Sequence, residues 1–202
     1  MTAAAILSKK SKKVRRVKKQ ARVLNYEQLN LLFQYGAPYS DLYRLAYWSG
    51  SRCSEIRELT ADARRDGQLI ILQSKVSAEK RLPIDGAISP VLDRLPSTGY
   101  LFPSPTHIDT QRPIGRTSIH NHLSELAADL ELPGVTTHSF RRSRATHLYR
   151  AKMAPAAICK ITGHRSVTQL MEYIDIAIDE AAAEAAAITA AAFPDGFGNS
   201  PS

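Results

Sequence analysis

Apolar residues recur every three or four positions over most of the chain, the spacing that places them on one face of an α-helix. The first such stretch follows Asn25, and Gln28 three residues later completes the pattern of a helix capping box. Glycine and proline residues separate successive stretches. The predicted helices are about 26–34, 40–48, 54–59, 87–95, 116–130, 139–150, 155–161, 167–176 and 179–192.

Between residues 67 and 85 the pattern changes to that of β-strands. The run GQLIILQSK predicts one strand over 67–75, and KRLPID predicts its partner over 80–85, with VSAE as the turn between them. Asp66 and Gly67 mark a further turn before the first strand. The predicted fold class is therefore α+β: a mostly helical domain with a small antiparallel β-sheet.

The net charge of +8 is concentrated at one end of the chain. Residues 1–26 hold nine cations and no acid, and the other 18 cations face 19 acids. The nine are Lys9, Lys10, Lys12, Lys13, Arg15, Arg16, Lys18, Lys19 and Arg22. Because like charges repel, residues 1–24 are predicted to be a disordered basic tail, which either contacts DNA phosphates or is a solvated end. A folded domain over 25–178 and a C-terminal helix with a frayed end over 179–202 complete the predicted organisation.

The composition excludes several classes of protein. The hydrophobic fraction of 44% is ordinary for a soluble domain, and no apolar run approaches the roughly 18 residues of a membrane span. The first apolar stretch precedes the charges, which is the wrong order for a secretory signal. Cys53 and Cys159 lie far apart without the spacing of metal ligands, which is typical of buried thiols in a reducing compartment. We therefore expect a cytoplasmic protein with no metal and no cofactor.

One set of side chains has the chemistry to break a phosphodiester without a metal ion. It contains two guanidiniums that hold a phosphate, a lysine and two histidines that move protons, and a tyrosine that attacks. These residues are, in chain order, Arg52, Lys75, His138, Arg141, His164 and Tyr173. His138 and Arg141 are three apart, so they share one face at the start of a predicted helix, where an anion gains from the free amides.

Each of these residues also has an ordinary interpretation. Arg52 and Glu55 are three residues apart, so Glu55 either holds the guanidinium in place for function or forms a surface ion pair with it. Lys75 stands at a hairpin tip, where solvated lysines are common. Lys80 and Arg81 are alternatives to it in the same hairpin. A tyrosine on an amphipathic helix, for its part, usually packs on a core.

The sequence motifs around these residues resemble those of a known family. They are SGSRCSEIREL, THSFRRSRATHL and ITGHRSVTQLMEYI, and the second is close to the HxLRHTxATHL stretch of the tyrosine recombinases, the phage-integrase type of DNA strand-exchange enzyme. The resemblance covers about residues 25–177. It favours Lys75 over Lys80, because the family's catalytic lysine ends the first strand of the hairpin. It also favours Tyr173 as the nucleophile.

The resemblance implies a fold, a reaction and a set of roles. The fold would be the family's mostly helical catalytic domain with its small sheet. Tyr173 would attack the scissile phosphorus and form a 3′-phosphotyrosyl bond, while Arg52 and Arg141 stabilise the charge on the phosphate. Lys75 would protonate the leaving 5′-oxygen, and His138 and His164 would position the phosphate and move the tyrosine proton.

The same resemblance implies partners and leaves alternatives open. Double-stranded DNA would be the substrate, and a homo-tetramer would hold two DNA sites, with accessory DNA-binding proteins as further partners. The alanine-rich helix over 179–192 would either be donated to a neighbouring protomer or dock on its own domain. The reaction would be inversion or integration and excision. Type IB topoisomerase activity, or a non-catalytic DNA-binding regulator or truncated integrase, are the alternatives.

The chain departs from the family in several places. Ser51 and Cys53 replace commoner residues around Arg52, and Ile174 and Asp175 follow Tyr173 where many relatives are more polar. Thr162 stands where the family usually has leucine before Gly-His. The separate N-terminal core-binding domain of typical members has no counterpart in the sequence, a layout similar to the short fimbrial phase-variation invertases. Of the remaining polar residues, Arg142 and Arg144 are expected at the DNA backbone or in solvent, and His147 is expected to be structural. His120 and His122 are expected at the surface.

Overall fold

The computed structural model describes residues 20–73, 78–105, 112–174, 178–192 and 194. These residues form a mostly helical domain with one small antiparallel sheet, which confirms the predicted fold class. The helices are α1 (Tyr26–Tyr35), α2 (Ser40–Ser49), α3 (Cys53–Ile56), α4 (Ser89–Asp93), α5 (Arg116–Asp129), α6 (Ser139–Arg150), α7 (Pro155–Thr162), α8 (Val167–Met171) and α9 (Ile178–Ala192). The strands are β1 (Arg64–Arg65), β2 (Gln68–Gln73) and β3 (Ala78–Pro83), in the spatial order β1-β2-β3.

The capping box at the start of α1 is present as predicted. The Asn25 side chain accepts a hydrogen bond from the Gln28 backbone N at 2.8 Å, and the Gln28 side chain accepts one from the Asn25 backbone N at 3.2 Å. Both donors would otherwise be unpaired at the helix terminus. Local side-chain chemistry therefore sets where this helix begins.

The sheet is larger than the sequence predicts. Asp66 and Gly67 form the predicted turn with φ of 51° and 71°, and the turn joins β2 to the two-residue strand β1, which sequence patterning missed because it is too short to show alternation. In β2, Leu69 and Ile71 are fully buried, whereas Leu72 is 66% exposed. β3 begins at Ala78, two residues before the predicted strand, and pairs antiparallel with β2 from Gln73 opposite Ala78.

Helix α6 connects two groups of buried apolar residues. Its Phe140 belongs to the larger group, which spans α1 to α5 and the sheet, and its Ala145 and Leu148 belong to a smaller group with α7 and α8. The sequence of α6, SFRRSRATHLYR, is polar, yet most of its side chains are buried. Buried polar groups need hydrogen-bond partners, so this helix holds its neighbours largely by polar contacts.

The residues just before α1 pack against the domain. Leu24 is fully buried, its backbone N donates to Ser143 Oγ at 2.8 Å, and the Arg22 backbone N donates to Gly134 O at 3.1 Å. Residues 20–24 of the segment predicted to be disordered are therefore held by the domain. The basic residues 9–19 lie outside the described residues.

Helix α8 is shorter than predicted. It ends at Met171, whereas the sequence pattern extends to residue 176. The Tyr173 backbone N still donates to Leu170 O at 2.8 Å, but the Tyr173 carbonyl accepts from Arg142 Nε at 2.8 Å. A side chain from another helix thus supplies the hydrogen bond of this carbonyl in the turn after α8. Among the described helices, none combines the length and apolar character needed to cross a bilayer.

Candidate active site

Arg52 lies at the end of a tight turn between α2 and α3. Gly50 ends α2 with φ of 63°, and a Cβ there would lie 2.8 Å from Thr162 Cγ2, so both the backbone and the space require glycine. Arg52 Nη1 donates to Glu55 Oε1 at 2.7 Å, and the Arg52 backbone N donates to Glu55 Oε2 at 2.9 Å. The Glu55 side chain is fully buried while Arg52 remains 22% exposed. The carboxylate therefore fixes the guanidinium at the edge of an opening.

Arg141 is the largest fully buried side chain near this turn, with 1% of its surface exposed. Its guanidinium donates to Gly50 O at 3.2 Å, to Thr162 O, and to Gly163 O at 3.2 Å, so it joins the end of α2 to the end of α7. Its Nε is buried and has no hydrogen-bond partner among the described residues. Burial and the nearby Arg52 lower the pKa of Arg141 to about 10, which leaves it charged at neutral pH.

His164 follows the glycine that ends α7. Gly163 has φ of 74°, a backbone conformation that favours glycine, and it packs against the end of the Gln73 side chain, whose Nε2 would lie 1.6 Å from an added Cβ. His164 is 7% exposed, and its Nδ1 lies 2.6 Å from Thr162 Oγ1. Burial, together with the nearby cations Arg141, Arg52 and Lys80, lowers the pKa of His164 to about 3. The imidazole is therefore neutral at neutral pH.

Tyr173 lies in the turn after α8, next to these cationic groups and not in an apolar interior. Its ring contacts the His164 ring edge-on with 4.8 Å between centroids, and Arg141 Cζ lies 5.9 Å from its centroid. A guanidinium in this position is attracted to the ring face. The half-buried tyrosine is thus placed between a buried histidine and a buried arginine.

His138 lines two cavities of the site. It is exposed immediately before α6 and lines a cavity of about 240 Å³ together with Arg52. It also lines a cavity of about 690 Å³ together with Tyr173. The structure therefore brings Arg52, His138, Arg141, His164 and Tyr173 together from separate segments. Arg52, His138 and Tyr173 line these two cavities, whereas His164 lines a third cavity, of about 440 Å³, together with Lys80.

The two lysines of the hairpin differ in what the structure shows. Lys75 lies outside the described residues, so its role stays a prediction. Lys80 is 6% exposed, and its Nζ donates to Ser49 O at 2.9 Å and to Ser51 Oγ. Burial and the nearby Arg141 and Arg52 lower the pKa of Lys80 to about 7, against an opposing effect of Glu55.

Sequence reasoning missed the burial of Lys80, although the alternation of β3 indicates it. Lys80, Leu82 and Ile84 share one face of the strand, and Lys80 pairs across the sheet with the buried Ile71. Its ammonium lies under the turn that carries Arg52. The other alternative, Arg81, is exposed and pairs with Glu79 at 2.9 Å.

The expectation for Arg142, a place at the DNA backbone or in solvent, is wrong. Arg142 is 7% exposed, its Nε donates to Tyr173 O at 2.8 Å, and its other nitrogens donate to Ala21 O and to Gln20 Oε1. It therefore ties the turn of Tyr173 to the segment before α1. No local sequence signal reports this contact, because all its partners are distant in the chain.

The other histidines and Arg144 have structural contacts. His147 is buried and its Nδ1 is 2.8 Å from the Tyr47 hydroxyl, in agreement with its expected structural role. His122, expected at the surface, is half-buried, with 2.9 Å between its Nδ1 and the Tyr43 hydroxyl. His120 is exposed as expected, yet it lines both cavities beside His138. Arg144 Cζ lies 5.5 Å from the Tyr47 ring centroid, so it also faces the domain.

The described residues contain no group of three histidine, cysteine, aspartate or glutamate side chains close enough to hold a metal ion. Cys53 and Cys159 are free thiols. The described lysines and arginines that line the cavities of Arg52, His138 and Tyr173 are all arginines, which suits a site for a phosphate anion.

The chain belongs to the phage integrase family, which it matches over residues 18–180. This is the family of tyrosine recombinases, enzymes that break and rejoin DNA. The family that the sequence motifs indicated is therefore confirmed. A probable integrase/recombinase of Bacillus subtilis (strain 168), YoeC, is 34% identical over 77 residues, which are 38% of this chain and 41% of that protein. The chain thus matches less than half the length of this relative.

Solved structures show the same fold at low identity. The XerA recombinase superposes with a TM-score of 0.68 at 15% identity, covering 84% of this chain and 65% of that one. The Tn1549 transposon integrase, in complex with a circular intermediate DNA, gives a TM-score of 0.66 at 16% identity, covering 85% and 67%. A lambda integrase dimer bound to a COC′ core site gives 0.63 at 21% identity, covering 77% and 48%.

Proposed function

We propose that this protein is a site-specific DNA recombinase that cuts and rejoins DNA through a 3′-phosphotyrosyl bond at Tyr173. The observation that carries the proposal is the position of the Tyr173 ring, in contact with His164 and beneath the guanidinium of Arg141. Membership of the phage integrase family supports it independently. A scissile phosphate would enter the open space between Arg52, His138 and Tyr173.

The two arginines would hold and stabilise the phosphate. Negative charge grows on the non-bridging oxygens as the tyrosine attacks, and fixed donors aimed at that charge lower the barrier. Arg52 is kept in place by Glu55, and Arg141 is kept in place by three backbone carbonyls with its Nε still unpartnered among the described residues. Rigid donors need no rearrangement at the moment of reaction, which is the advantage of burying them.

The remaining groups would move protons. Tyr173 loses its hydroxyl proton as its oxygen bonds to phosphorus, and His138 and His164 are the neighbours that position the phosphate and take part in that transfer. Lys75 would give a proton to the leaving 5′-oxygen. The phosphotyrosyl ester conserves the energy of the phosphodiester, so a 5′-hydroxyl from a second duplex can reverse the step and join new partners without a cofactor.

Strand exchange between two duplexes requires several protomers. The proposed assembly is a homo-tetramer on two double-stranded DNA sites, and the lambda integrase seen as a dimer on its core site supports at least two protomers for each site. Helix α9 is the proposed link to a neighbour, because its described side chains are exposed, including Ile188 at 64%. Accessory DNA-binding proteins would supply any further clamp on the DNA.

The particular reaction is proposed to be inversion, as in the fimbrial phase-variation invertases, or else integration and excision. A plasmid assay with the candidate site in inverted or direct orientation distinguishes these outcomes. Inverted sites that flip a marked segment support the invertase. Relaxation of supercoils with no recombinant product would instead support a type IB topoisomerase.

The direct test uses a nicked suicide duplex, in which the cleaved strand diffuses away and leaves the covalent adduct trapped. The wild-type protein and a Tyr149→Phe control are expected to form adduct, whereas Tyr173→Phe forms none although it binds the duplex in a band-shift. Tyr149 is a suitable control because it packs beside the smaller apolar cluster on α6, away from the cavities. Equal adduct from wild-type and Tyr173→Phe would end the proposal.

A further inference from the structure

The cavity of about 440 Å³ lies between the strands β2 and β3 and the end of α7, and we call it the hairpin cavity. Its wall is formed by residues from both sides, among them Gln73, Lys80, Lys160, Gly163, His164 and Arg165. None of the described residues that line it also lines the two cavities of Arg52, His138 and Tyr173. The hairpin cavity is therefore a separate opening beside the site.

Positive charge dominates the hairpin cavity. Lys160 and Arg165 are exposed, and the wall also holds the buried Lys80. Among the described residues that line the cavity, the one carboxylate is Glu79, which pairs with Arg81 at 2.9 Å. An opening with this excess of cations attracts an anion.

Gln73 adds a hydrogen-bond donor to the wall. The residue is 9% exposed, and its Nε2 has no hydrogen-bond partner among the described residues. Its amide lies against Gly163, where the absence of a Cβ leaves room for it. An amide nitrogen can only donate, and a buried donor without a partner is unfavourable. A ligand in the hairpin cavity would therefore have to offer an acceptor as well as negative charge.

A phosphate of the DNA backbone offers both. The ring of His164 lines the hairpin cavity and contacts the ring of Tyr173, with 4.8 Å between centroids, so the cavity adjoins the cleavage site. Successive phosphates of one strand follow one another at about 3.4 Å along the helix axis. A strand whose scissile phosphate lies beside Tyr173 therefore has further phosphates close to the hairpin cavity.

We propose that the hairpin cavity binds a non-scissile DNA phosphate near the cleavage point, through Lys160, Arg165 and the amide of Gln73. The inference rests on the proposed recombinase function and adds a second point at which the cleaved strand is held. Phosphate contacts fix the register of a protein on a duplex without reading its sequence. The hairpin cavity thus helps to determine which phosphodiester lies opposite Tyr173.

The test replaces one phosphate at a time with an uncharged methylphosphonate, at each position on both sides of the cleavage point. All proteins carry Tyr173→Phe, so that a band-shift measures binding without cleavage. Replacement of one particular non-scissile phosphate is expected to weaken binding about 10-fold, because it removes charge-assisted hydrogen bonds.

The variant that combines Lys160→Gln with Arg165→Gln identifies the phosphate that the cavity holds. It is expected to bind the unmodified duplex about 10-fold more weakly and to lose nothing further at that one position. Its losses at the other positions should match those of the parent protein. Arg150→Gln, an exposed cation on α6 that lines none of the three cavities, is the matched control and should keep the parent profile.

Gln73→Met separates a role in ligand binding from a role in stability. Methionine keeps the length of the side chain and removes the amide. Because the amide nitrogen has no partner among the described residues, the free energy of unfolding in urea is expected to stay the same or rise. The loss of binding at the identified methylphosphonate should become smaller. A fall in the free energy of unfolding would show that the amide is paired within the protein, against the proposed contact.

Three results would overturn the inference. The double variant and its parent could respond alike to every methylphosphonate. The position that distinguishes them could be the scissile phosphate, which would make the cavity part of the cleavage site. Inorganic phosphate could shift the side-chain amide NMR signal of Gln73 while no position distinguishes the proteins, which would assign the cavity to a free anion. Failure of the proposed function is distinct from all three, since it would appear as adduct formation that no longer depends on Tyr173.

Discussion

Lys80 lies on the buried face of β3, at a position where strands usually carry an apolar side chain. Its two oxygen partners, Ser49 O and Ser51 Oγ, belong to the turn that carries Arg52. A buried charge is costly unless it is paired and hydrogen-bonded. The lysine therefore stabilises the turn through hydrogen bonds while Arg52 and Arg141 disfavour its charge.

The stability of the fold is expected to depend on pH through Lys80. Its pKa is lowered from 10.5 to about 7 in the folded chain, so between these values the unfolded chain binds more protons than the folded chain. The free energy of unfolding then rises with pH in this window, by up to about 1.4 kcal/mol per pH unit. Lys80→Met, which keeps the length of the side chain, removes this contribution.

Urea unfolding of both proteins at several pH values from about 7 to 10 measures the effect. Subtracting the variant from the wild type cancels the other titrating groups. The difference in unfolding free energy is expected to grow in favour of the wild type as pH rises. Two curves that stay parallel would show that Lys80 keeps an ordinary pKa in the fold.

At the scale of helices and strands, two glycines allow the effect of steric overlap on stability to be measured separately from the effect of backbone strain. Gly163 at the end of α7 and Gly67 before β2 have similar φ, 74° and 71°. A Cβ on Gly163 would lie 1.6 Å from Gln73 Nε2, whereas a Cβ on Gly67 would meet nothing within 4 Å. The junction between α7 and the hairpin thus depends on the absence of a side chain at 163.

Gly163→Ala is expected to lower the unfolding free energy by more than Gly67→Ala does. Both variants bear the cost of about 1–2 kcal/mol for a left-handed alanine. Gly163→Ala must in addition displace the buried end of the Gln73 side chain, at about 0.5–1.5 kcal/mol if that side chain leaves its rotamer. Denaturant unfolding compares the two. Combining Gly163→Ala with Gln73→Ala should recover the added part, and equal destabilisation by the two single variants would show that Gly163 and Gln73 are not close.

Arg142 holds the turn that presents the tyrosine. Replacing it with alanine leaves the Tyr173 carbonyl without its side-chain donor and removes the bridge from the turn to Gln20 and Ala21, so only the 3.5 Å contact of Gln20 Nε2 with Glu172 O remains there. Amide hydrogen exchange at Tyr173 and Ile174 should then be faster. Cleavage should fall by about 10-fold or more, because small displacements of a nucleophile are costly.

The matched control for Arg142 is Arg150→Ala, on the exposed end of the same helix. It is expected to leave both exchange at the turn and cleavage unchanged. If Arg142→Ala cleaves and exchanges like Arg150→Ala, the turn is held by other contacts.

Elements defined by local signals were predicted well, and those defined by distant contacts were not. Helix α6 has the limits Ser139–Arg150 that the sequence predicts, and Asn25 caps α1 as expected. The contacts of Arg142 join three segments that are distant in the chain, so the spacing of residues along one segment does not show them. The alternation of β3 does indicate the burial of Lys80, but the turn above it that supplies the two oxygen partners lies about 30 residues away.

At the scale of the whole molecule, spacing did not predict that the site residues meet. The sequence motifs around Arg52, His138 and Tyr173 indicated that these residues meet, because they resemble the motifs of a family. In the structure these residues lie close together. The fold explains how: α6 packs against both apolar groups, so its first turn lies between the end of α2 and the segment that follows α7.

The charge distribution predicts how the whole chain binds DNA. Deleting residues 1–19 removes eight of the nine cations that precede the folded domain. The dependence of log K on log salt concentration should become less steep by roughly 0.9 for each phosphate that the tail neutralises in the wild-type complex. The measurement is DNA binding at several salt concentrations, with a full-length chain whose eight tail cations are replaced by glutamine as the control for length.

The deletion and the glutamine variant should share the shallower slope, and both should cleave at the wild-type rate once DNA is saturating. A slope equal to that of the wild-type protein would show that the tail does not bind phosphates.

The transfer of a phosphodiester to one tyrosine is tested by locating the covalent bond between protein and DNA. Protein trapped on a suicide duplex with a labelled scissile phosphate is digested with nuclease and protease, and tandem mass spectrometry identifies the peptide that carries the nucleotide. We expect the label on the peptide containing Tyr173, joined through the 3′-phosphate. A nucleotide on Tyr149 or another residue, or attachment through a 5′-phosphate, would contradict it.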